Sequence, residues 1–128
     1  MVELLQNDKG YELMTLDEYQ EACLDTAFYP HSMVYPALGL ASETGELLGK
    51  IKKLVRDDGM PLDIDDVPET LDHETTKQLA LEVGDCLYYL AVLADDIGYS
   101  LEEIADMNMK KLKDRKSRGT LEGSGDTR

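Results

Sequence analysis

The feature that most constrains the fold is helical periodicity. Four stretches of the sequence repeat their apolar residues with the period of an α-helix, and no segment sustains the alternation of a strand. We therefore expect an all-α protein, a helical bundle of about four main helices. The predicted helices cover approximately residues 15–28, 36–56, 75–97 and 100–117.

Local signals mark several of the predicted helix ends. Thr15 with Glu18, and Ser100 with Glu103, have the spacing of a capping box, in which each side chain satisfies a free backbone N–H group. Gly98 follows the third apolar stretch and is a typical residue after a helix C-terminus. The first, third and fourth helices therefore have predicted boundaries.

The chain has 128 residues and 42% hydrophobic residues, which suits one globular domain over residues 1–128. Residues 58–74 are rich in Asp and Glu, contain two prolines and no Lys or Arg, and are predicted to form an exposed acidic loop. Residues 119–128 form a predicted glycine-rich tail. We find no internal repeat and no domain boundary.

Charge and composition exclude several classes of partner. The 13 Lys and Arg residues against 27 Asp and Glu give a formal net charge of −14, which disfavours nucleic-acid binding. The longest apolar run, residues 86–94, is too short for a membrane span, and the first residues lack the pattern of a signal peptide. We expect a cytoplasmic protein in which Cys23 and Cys86 are reduced.

The second helix carries a charged stripe beside its apolar face. At 100° per residue, Glu43, Glu46, Lys50 and Lys53 fall in one line that borders the leucine face instead of lying opposite it. One interpretation is an ordinary amphipathic helix with Glu–Lys pairs on its rim. The other is a functional site at the edge of the core.

The third helix favours the second interpretation. Apolar residues surround almost its whole circumference, so we expect it to be central and largely buried, yet Glu82 and Asp85 share one stripe of it. Two buried carboxylates need a positive partner. That partner is either a Lys or Arg of a neighbouring helix or a divalent cation such as Mg²⁺ or Mn²⁺. Neither His31 nor His73 has helical spacing from these acids, which disfavours di-iron and zinc sites.

The fourth helix shows a similar anomaly with basic residues. Asn108 falls inside its apolar arc, and Lys111 and Arg115 lie on the edge of that arc. Ten of the thirteen basic residues lie in residues 50–56 and 110–118, which in so acidic a chain is typical of a surface that binds phosphate. Pairing with the acids of the bundle is the alternative.

These residues occur in sequence blocks. In their content and order, the blocks resemble those of the MazG-like, all-α nucleoside triphosphate pyrophosphohydrolases. The resemblance extends from about Tyr19 to the C-terminus. The blocks are Tyr19-Gln20, Tyr35-Pro-Ala-Leu-Gly-Leu-Ala-Ser-Glu-Thr-Gly-Glu46, Glu82-Val-Gly-Asp-Cys-Leu-Tyr-Tyr-Leu90, Asn108-Met-Lys-Lys-Leu-Lys-Asp-Arg115, Gly119 and Gly123-Ser-Gly-Asp-Thr-Arg128. A single Glu-x-x-Glu carries little information, whereas all the blocks in this order are specific.

The metal signature of the family is EExxE followed by ExxD. Glu43 and Glu46 match the last two glutamates of the first part, and Glu82 and Asp85 match the second part. Ser42 stands where the leading glutamate is expected, so the identity of a general base stays open. The acidic insert before Glu82 also makes the gap longer than usual.

The resemblance implies Mg²⁺-dependent hydrolysis of a ribo- or deoxyribonucleoside triphosphate to the monophosphate and pyrophosphate, with Mn²⁺ as a possible substitute. It makes Glu43, Glu46, Glu82 and Asp85 metal ligands, with the first two also catalytic. It further implies a homodimer or homotetramer. The residues predicted to bind the substrate are Gln20, Lys50, Lys53, Asn108, Lys111, Arg115, Asp126 and Arg128.

These substrate contacts have different origins. The family pattern assigns the phosphate donors of the fourth helix, whereas the stripe on the second helix adds Lys50 and Lys53. Gln20 is a predicted contact to the base or sugar, and residues 123–128 are predicted to close over the ligand. The alternatives are a base-specific dUTPase or dCTPase, a catalytically idle bundle that binds nucleotide, metal or protein, and a purely structural interaction protein.

Overall fold

The computed structural model describes residues 13–30, 32–63 and 71–124, and in these ranges it contains four α-helices and no strand. This confirms the predicted all-α fold. None of the helices in this part of the chain has the length and apolar character needed to cross a membrane. The helices are α1 (Leu16–Leu24), α2 (Val34–Asp57), α3 (His73–Asp96) and α4 (Leu101–Ser117).

Both predicted capping boxes are confirmed. The backbone N–H of Glu18 donates to the Thr15 hydroxyl over 3.2 Å, and the Thr15 N–H donates to the Glu18 carboxylate over 2.7 Å. Ser100 and Glu103 exchange the same two bonds over 3.1 and 2.8 Å. Each cap satisfies N–H groups that the helix leaves free, which is worth about 1 kcal/mol.

Three helix boundaries differ by two or more residues from the predicted positions, and one of them is the start of α2, at Val34 instead of residue 36. Helix α1 ends at Leu24, because the following residues turn back and the Thr26 hydroxyl donates to the Cys23 carbonyl oxygen over 3.0 Å. Helix α3 begins at His73, because the Asp72 carboxylate accepts the Thr75 N–H over 2.7 Å. Gly98 has the positive φ of 85° expected after a helix end.

The predicted acidic loop, residues 58–74, is only partly described. Residues 58–63 and 71–72 are non-helical, residues 73–74 already belong to α3, and residues 64–70 lie outside the described ranges. The assignment of residues 1–128 to one domain stays a prediction.

Helix α3 is the centre of the packing, since it contacts each of the other three helices and is most extensively paired with α2. The small core lies where α1, the second half of α3 and the start of α4 meet. Its buried apolar residues are Cys23, Ala91, Val92, Ala94 and Leu101. Cys23 and Cys86 are free thiols.

The beginning of α2 is tied to the end of α3. Met33 has a positive φ of 65°, and its N–H donates to the Asp96 carboxylate over 2.6 Å. Pro36 is fully buried, and the rings of Tyr29 and Tyr35 stack with their centroids 4.2 Å apart. These contacts fix where α2 crosses α3, and therefore which residues of the two helices face each other.

Helix α3 is central, as predicted, but the prediction that it is largely buried is wrong for the single chain. Leu81, Val83 and Leu90 are 61%, 53% and 42% exposed, and Leu38 and Leu48 of α2 are exposed as well. The physical reason is the limited cover that the other helices provide. Helix α2 covers one face of α3, whereas α1 and α4 cover only the second half of α3. Both helices of the α2–α3 pair therefore keep exposed apolar side chains.

Candidate functional site

Helices α2 and α3 run antiparallel, and three side-chain contacts define their register. The Tyr89 ring lies against Gly39, the Thr44 hydroxyl lies 3.8 Å from the Cys86 sulfur, and the Lys50 ammonium lies 2.8 Å from a Glu82 carboxylate oxygen. As the residue number rises along α2, it falls along α3. This register places the acidic stripes predicted on the two helices opposite each other.

Three of the four predicted metal ligands come together there. Glu43, Glu82 and Asp85 each offer a carboxylate oxygen, and these three atoms lie within 4.8 Å of one another. We call this group the carboxylate cluster. Glu82 is buried, Glu43 is half-buried and Asp85 is exposed, so the cluster opens to solvent on one side.

Glu82 is the deepest member of the cluster, with 8% of its surface exposed. One carboxylate oxygen, Oε1, accepts the ion pair from Lys50, and the other, Oε2, is buried without a hydrogen-bond partner. A buried oxygen without a partner costs free energy, which a cation ligand would recover. Hard carboxylate oxygens are also the ligands that Mg²⁺ and Mn²⁺ prefer. The cluster therefore fits a divalent cation.

The electrostatics of Glu43 agree with this. Partial burial, followed by the negative charges of Glu46, Asp85 and Glu82, raises the pKa of the Glu43 carboxyl above its usual value. Glu46 itself is exposed and lies outside the carboxylate cluster. Its charge reaches Glu43, but its carboxylate is not among the three that converge.

A cavity of about 280 Å³ adjoins the cluster, and we call it the tyrosine cavity. Its lining residues are Tyr35, Leu38, Gly39, Ser42, Glu43 and Tyr89. Ser42, which stands in the place of the family glutamate, is thus at the edge of the site. A Cβ atom on Gly39 would overlap the Tyr89 ring, so the glycine is what lets that ring lie against α2.

The sequence interpretation gave Tyr89 no role. The signal was present in the spacing, since Tyr89 follows Asp85 by four residues and Gly39 precedes Glu43 by four. Both therefore lie on the helix faces that carry the cluster. Burial, followed by interactions with the Tyr35 and Glu43 side chains, raises the pKa of the Tyr89 hydroxyl above its ordinary value.

A second cavity of about 290 Å³ lies further along the same helix pair, and we call it the lysine cavity. Its lining residues are Lys50, Lys53, Leu54, Asp58, Thr75, Gln78 and Leu79. Lys50 belongs both to this cavity and to the ion pair with Glu82. The predicted stripe of α2 therefore contributes to two adjacent places, the cluster and the lysine cavity.

Two of the predicted phosphate donors of α4 line a different cavity in the single chain. Asn108 and Lys111 line a cavity of about 310 Å³ with Ile104 and Met107, and none of the four predicted metal ligands lines it. Arg115 is buried, with 6% of its surface exposed. The cavity that Asn108 and Lys111 line is therefore separate from the carboxylate cluster within one chain.

Gln20 has a structural position. Its side-chain amide donates to the carbonyl oxygens of Ala91 and Tyr99 over 3.0 and 3.1 Å, and its carbonyl oxygen accepts the Leu101 N–H over 3.0 Å. With 5% of its surface exposed, it ties α1 to α3 and to the first turn of α4. Its predicted contact with a base or sugar stays a prediction that this geometry does not favour.

The predicted tail, residues 119–128, is described in part. Residues 119–124 are described and non-helical, with Gly119 at a positive φ of 68° two residues after the end of α4. Asp126 and Arg128 lie outside the described residues, so their predicted role over the ligand stays a prediction.

The fold and the cluster together define a class: an all-α protein that holds converging carboxylates between two antiparallel helices. Residues 36–119 match the family model of the MazG nucleotide pyrophosphohydrolase domain, and the chain belongs to this all-helical family. The matched segment contains the carboxylate cluster, the lysine cavity and every lining residue of the tyrosine cavity except Tyr35. Family members generally hydrolyse nucleoside triphosphates and depend on a divalent metal ion.

Among curated proteins, the chain is 36% identical over 124 residues to the Gene 37 protein of Mycobacterium phage L5. The alignment covers 90% of this chain and 100% of that protein. No solved structure gives a significant match.

Proposed function

We propose that this protein hydrolyses nucleoside triphosphates, with either ribose or deoxyribose, to the nucleoside monophosphate and pyrophosphate in the presence of Mg²⁺ or Mn²⁺. The observation that carries the proposal is the carboxylate cluster, in which Glu82 keeps one buried oxygen without a partner. Membership of the MazG family supports the reaction class.

Glu43, Glu82 and Asp85 would hold the cation, and Glu46 would join them from the next turn of α2. When bound, the cation lowers the pKa of a coordinated water and neutralises charge on the phosphates. Glu43 and Glu46 orient the attacking water toward the α-phosphorus.

The two cavities beside the cluster suit the two ends of the substrate. The flat rings of Tyr35 and Tyr89 in the tyrosine cavity can stack on the face of a nucleobase. Lys50 and Lys53 in the lysine cavity can pair with the phosphate chain. Because the cluster lies between them, the α-phosphate would be placed at the cation.

The exposed apolar residues of α2 and α3 support a homodimer or homotetramer. Exposed leucines at 38, 48, 81 and 90 lie on the two helices that form the site, and such a surface in water favours association. In such an assembly, the face of α4 that carries Asn108, Lys111 and Arg115 in one copy could lie beside the carboxylate cluster of another copy.

A product assay tests the proposal. The full chain is incubated with Mg²⁺ and each common ribo- and deoxyribonucleoside triphosphate in turn, and pyrophosphate and orthophosphate are measured separately. We expect pyrophosphate and monophosphate in equal amounts, abolished by EDTA and by Glu82→Gln. Lys52→Gln, an exposed change on α2 away from the described cavities, serves as the control that retains turnover.

The outcomes separate the alternatives. Turnover of dUTP or dCTP alone would indicate a base-specific member of the family with the same site. Orthophosphate and diphosphate as products would contradict attack at the α-phosphorus. No turnover of any nucleotide by folded protein, with either metal, would favour the catalytically idle bundle, for which Ser42 at the place of the family glutamate is the supporting feature.

A further inference from the structure

Lys50 stands between two parts of the site. Its ammonium crosses from α2 to Glu82 on α3, and the same side chain lines the lysine cavity together with Lys53, Thr75 and Gln78. Ion pairs on the rim of a helix normally join two exposed groups. This one joins a side chain that is 39% exposed to a carboxylate side chain that is only 11% exposed.

The ion pair takes an acceptor atom that a cation would use. Lys50 holds Oε1 of Glu82, while Oε2 has no hydrogen-bond partner. One ammonium offsets only part of the charge of three converging carboxylates. An ammonium at 2.8 Å from a ligand carboxylate is also close enough to repel a divalent cation in the cluster, and that repulsion exceeds what a partly exposed ion pair gains.

The lysine cavity offers Lys50 a second position. Lys50 is long and partly exposed, so it can turn about its side-chain bonds without any movement of α2. The cavity contains a second ammonium, the Thr75 hydroxyl and the Gln78 amide, all of which can donate to phosphate oxygens, and one acidic residue, Asp58. An anion in this cavity would therefore stabilise Lys50 away from Glu82.

We propose that Lys50 exchanges partners: it neutralises Glu82 until a divalent cation binds to the carboxylate cluster, and then it turns into the lysine cavity and binds the phosphate groups of the substrate. This inference rests on the proposed function, since it assumes that the cluster holds a cation. It makes Lys50 an internal competitor for the metal and a ligand for phosphate. Binding of the metal and binding of phosphate then favour each other.

The test compares Lys50→Gln with the unmodified chain in two titrations. In the first, Mn²⁺ alone is added and free Mn²⁺ is followed by electron paramagnetic resonance. In the second, inorganic pyrophosphate is added at saturating Mn²⁺ and followed by calorimetry. Lys52→Gln removes the same charge from an exposed position on the same helix and is the matched control, and thermal melts confirm that both variants fold.

We expect opposite changes for Lys50→Gln in the two titrations. Affinity for Mn²⁺ alone should rise about three- to tenfold, because the competing ammonium is gone. Affinity for pyrophosphate should fall by about fivefold or more, because a charged phosphate ligand is lost. Lys52→Gln should change both affinities by less than about twofold, the effect of one screened surface charge.

Equal or weaker Mn²⁺ binding by Lys50→Gln would overturn the competition, and would instead make Lys50 a residue that orients Glu82. Unchanged pyrophosphate binding would overturn the role of Lys50 as a phosphate ligand. Glu82→Gln separates this inference from the proposed function. If the unmodified chain and Glu82→Gln bind Mn²⁺ equally, the metal site itself is wrong, whatever Lys50 does.

Discussion

Gln20 and Glu82 are both polar residues that folding buries, with 5% and 8% of their surfaces exposed. The amide of Gln20 donates two hydrogen bonds and accepts one, all with backbone atoms of the core. Glu82 has one ion pair to a flexible lysine and one oxygen without a partner. The two side chains are buried to a similar extent, but only Gln20 has a hydrogen-bond partner for both of its polar atoms.

The difference separates structure from function. A buried polar group whose donors and acceptors are all paired holds elements together, and here it joins three helices at one point. A buried carboxylate that is only half paired lowers stability, so its retention needs another reason, which a bound cation supplies. The comparison makes opposite predictions for stability and activity at the two positions.

The largest effect is expected on activity at Glu82. Glu82→Gln keeps the size of the side chain and removes the charge, so turnover should fall about a hundredfold or more through loss of a metal ligand. The melting temperature should stay within a few degrees, because the repulsion among the converging carboxylates is relieved. Pyrophosphate release and a thermal melt measure the two quantities. A large fall in stability would contradict the distinction drawn from Gln20.

Gln20→Ala should have the opposite signature. It leaves the Ala91 and Tyr99 carbonyl groups and the Leu101 N–H without their partner, which should lower the free energy of unfolding by about 2–4 kcal/mol. Urea denaturation measures this, with Glu21→Ala as the exposed neighbour, expected within about 0.5 kcal/mol of the unmodified chain.

The variant Gln20→Ala also tests the predicted substrate contact. Where enough folded protein remains, its KM for the triphosphate should be unchanged. A raised KM with little loss of stability would restore Gln20 to the substrate site.

Gly39 and Gly49 give a pair of substitutions on one helix. An alanine Cβ at 39 would overlap the Tyr89 ring, so Gly39→Ala should lower the free energy of unfolding by about 1–3 kcal/mol and disturb the tyrosine cavity. At position 49, no atom lies within 4 Å of the place that a Cβ would take. Gly49→Ala should therefore raise the free energy of unfolding by about 0.5–1 kcal/mol through helix propensity. Urea denaturation of both variants checks the difference in sign, and equal effects would contradict the Tyr89 packing.

The smallest effect concerns pH at the start of α3. The Thr75 N–H and hydroxyl lower the pKa of the Asp72 carboxyl below its ordinary value of 3.8. Because the folded-state pKa is lowered, the cap stabilises the protein above the ordinary pKa and this contribution is lost as the pH falls through the lowered value. Asp72→Asn keeps a capping side chain without the charge.

The difference in stability between the unmodified chain and Asp72→Asn should therefore be present at neutral pH and shrink in acid. Thermal melts of both proteins across the acid range measure it. A difference that does not change with pH would show that the charge of Asp72 plays no part in the cap.

Much of the local structure was predictable because its causes are local. Thr15, Asp72 and Ser100 start helices through bonds to residues three positions along the chain, and the first and last of these were predicted from spacing. The end of α1 was missed, because the turn after Leu24 depends on Thr26 bonding backward to Cys23 and across to the Tyr88 hydroxyl.

The candidate site also has parts that were predictable from local sequence and parts that were not. The spacing of Glu43 on α2, and of Glu82 and Asp85 on α3, was enough to predict that these carboxylates share helix faces. The convergence of the three, the exposure of Glu46 outside them and the position of Asn108 and Lys111 in another cavity depend on how the helices cross. A helical period fixes directions about one axis and carries no information about the register between two axes.

The sequence by itself determined the all-α class, the caps and the acidic stripes, since each of these depends on residues within one or two helical turns. The tertiary structure decided that Gln20 is a structural tie, that Tyr89 lies beside the cluster against Gly39, and that Lys50 reaches Glu82. It also left one side of α3 uncovered. These depend on residues tens of positions apart, whose distances are set only when the helices pack.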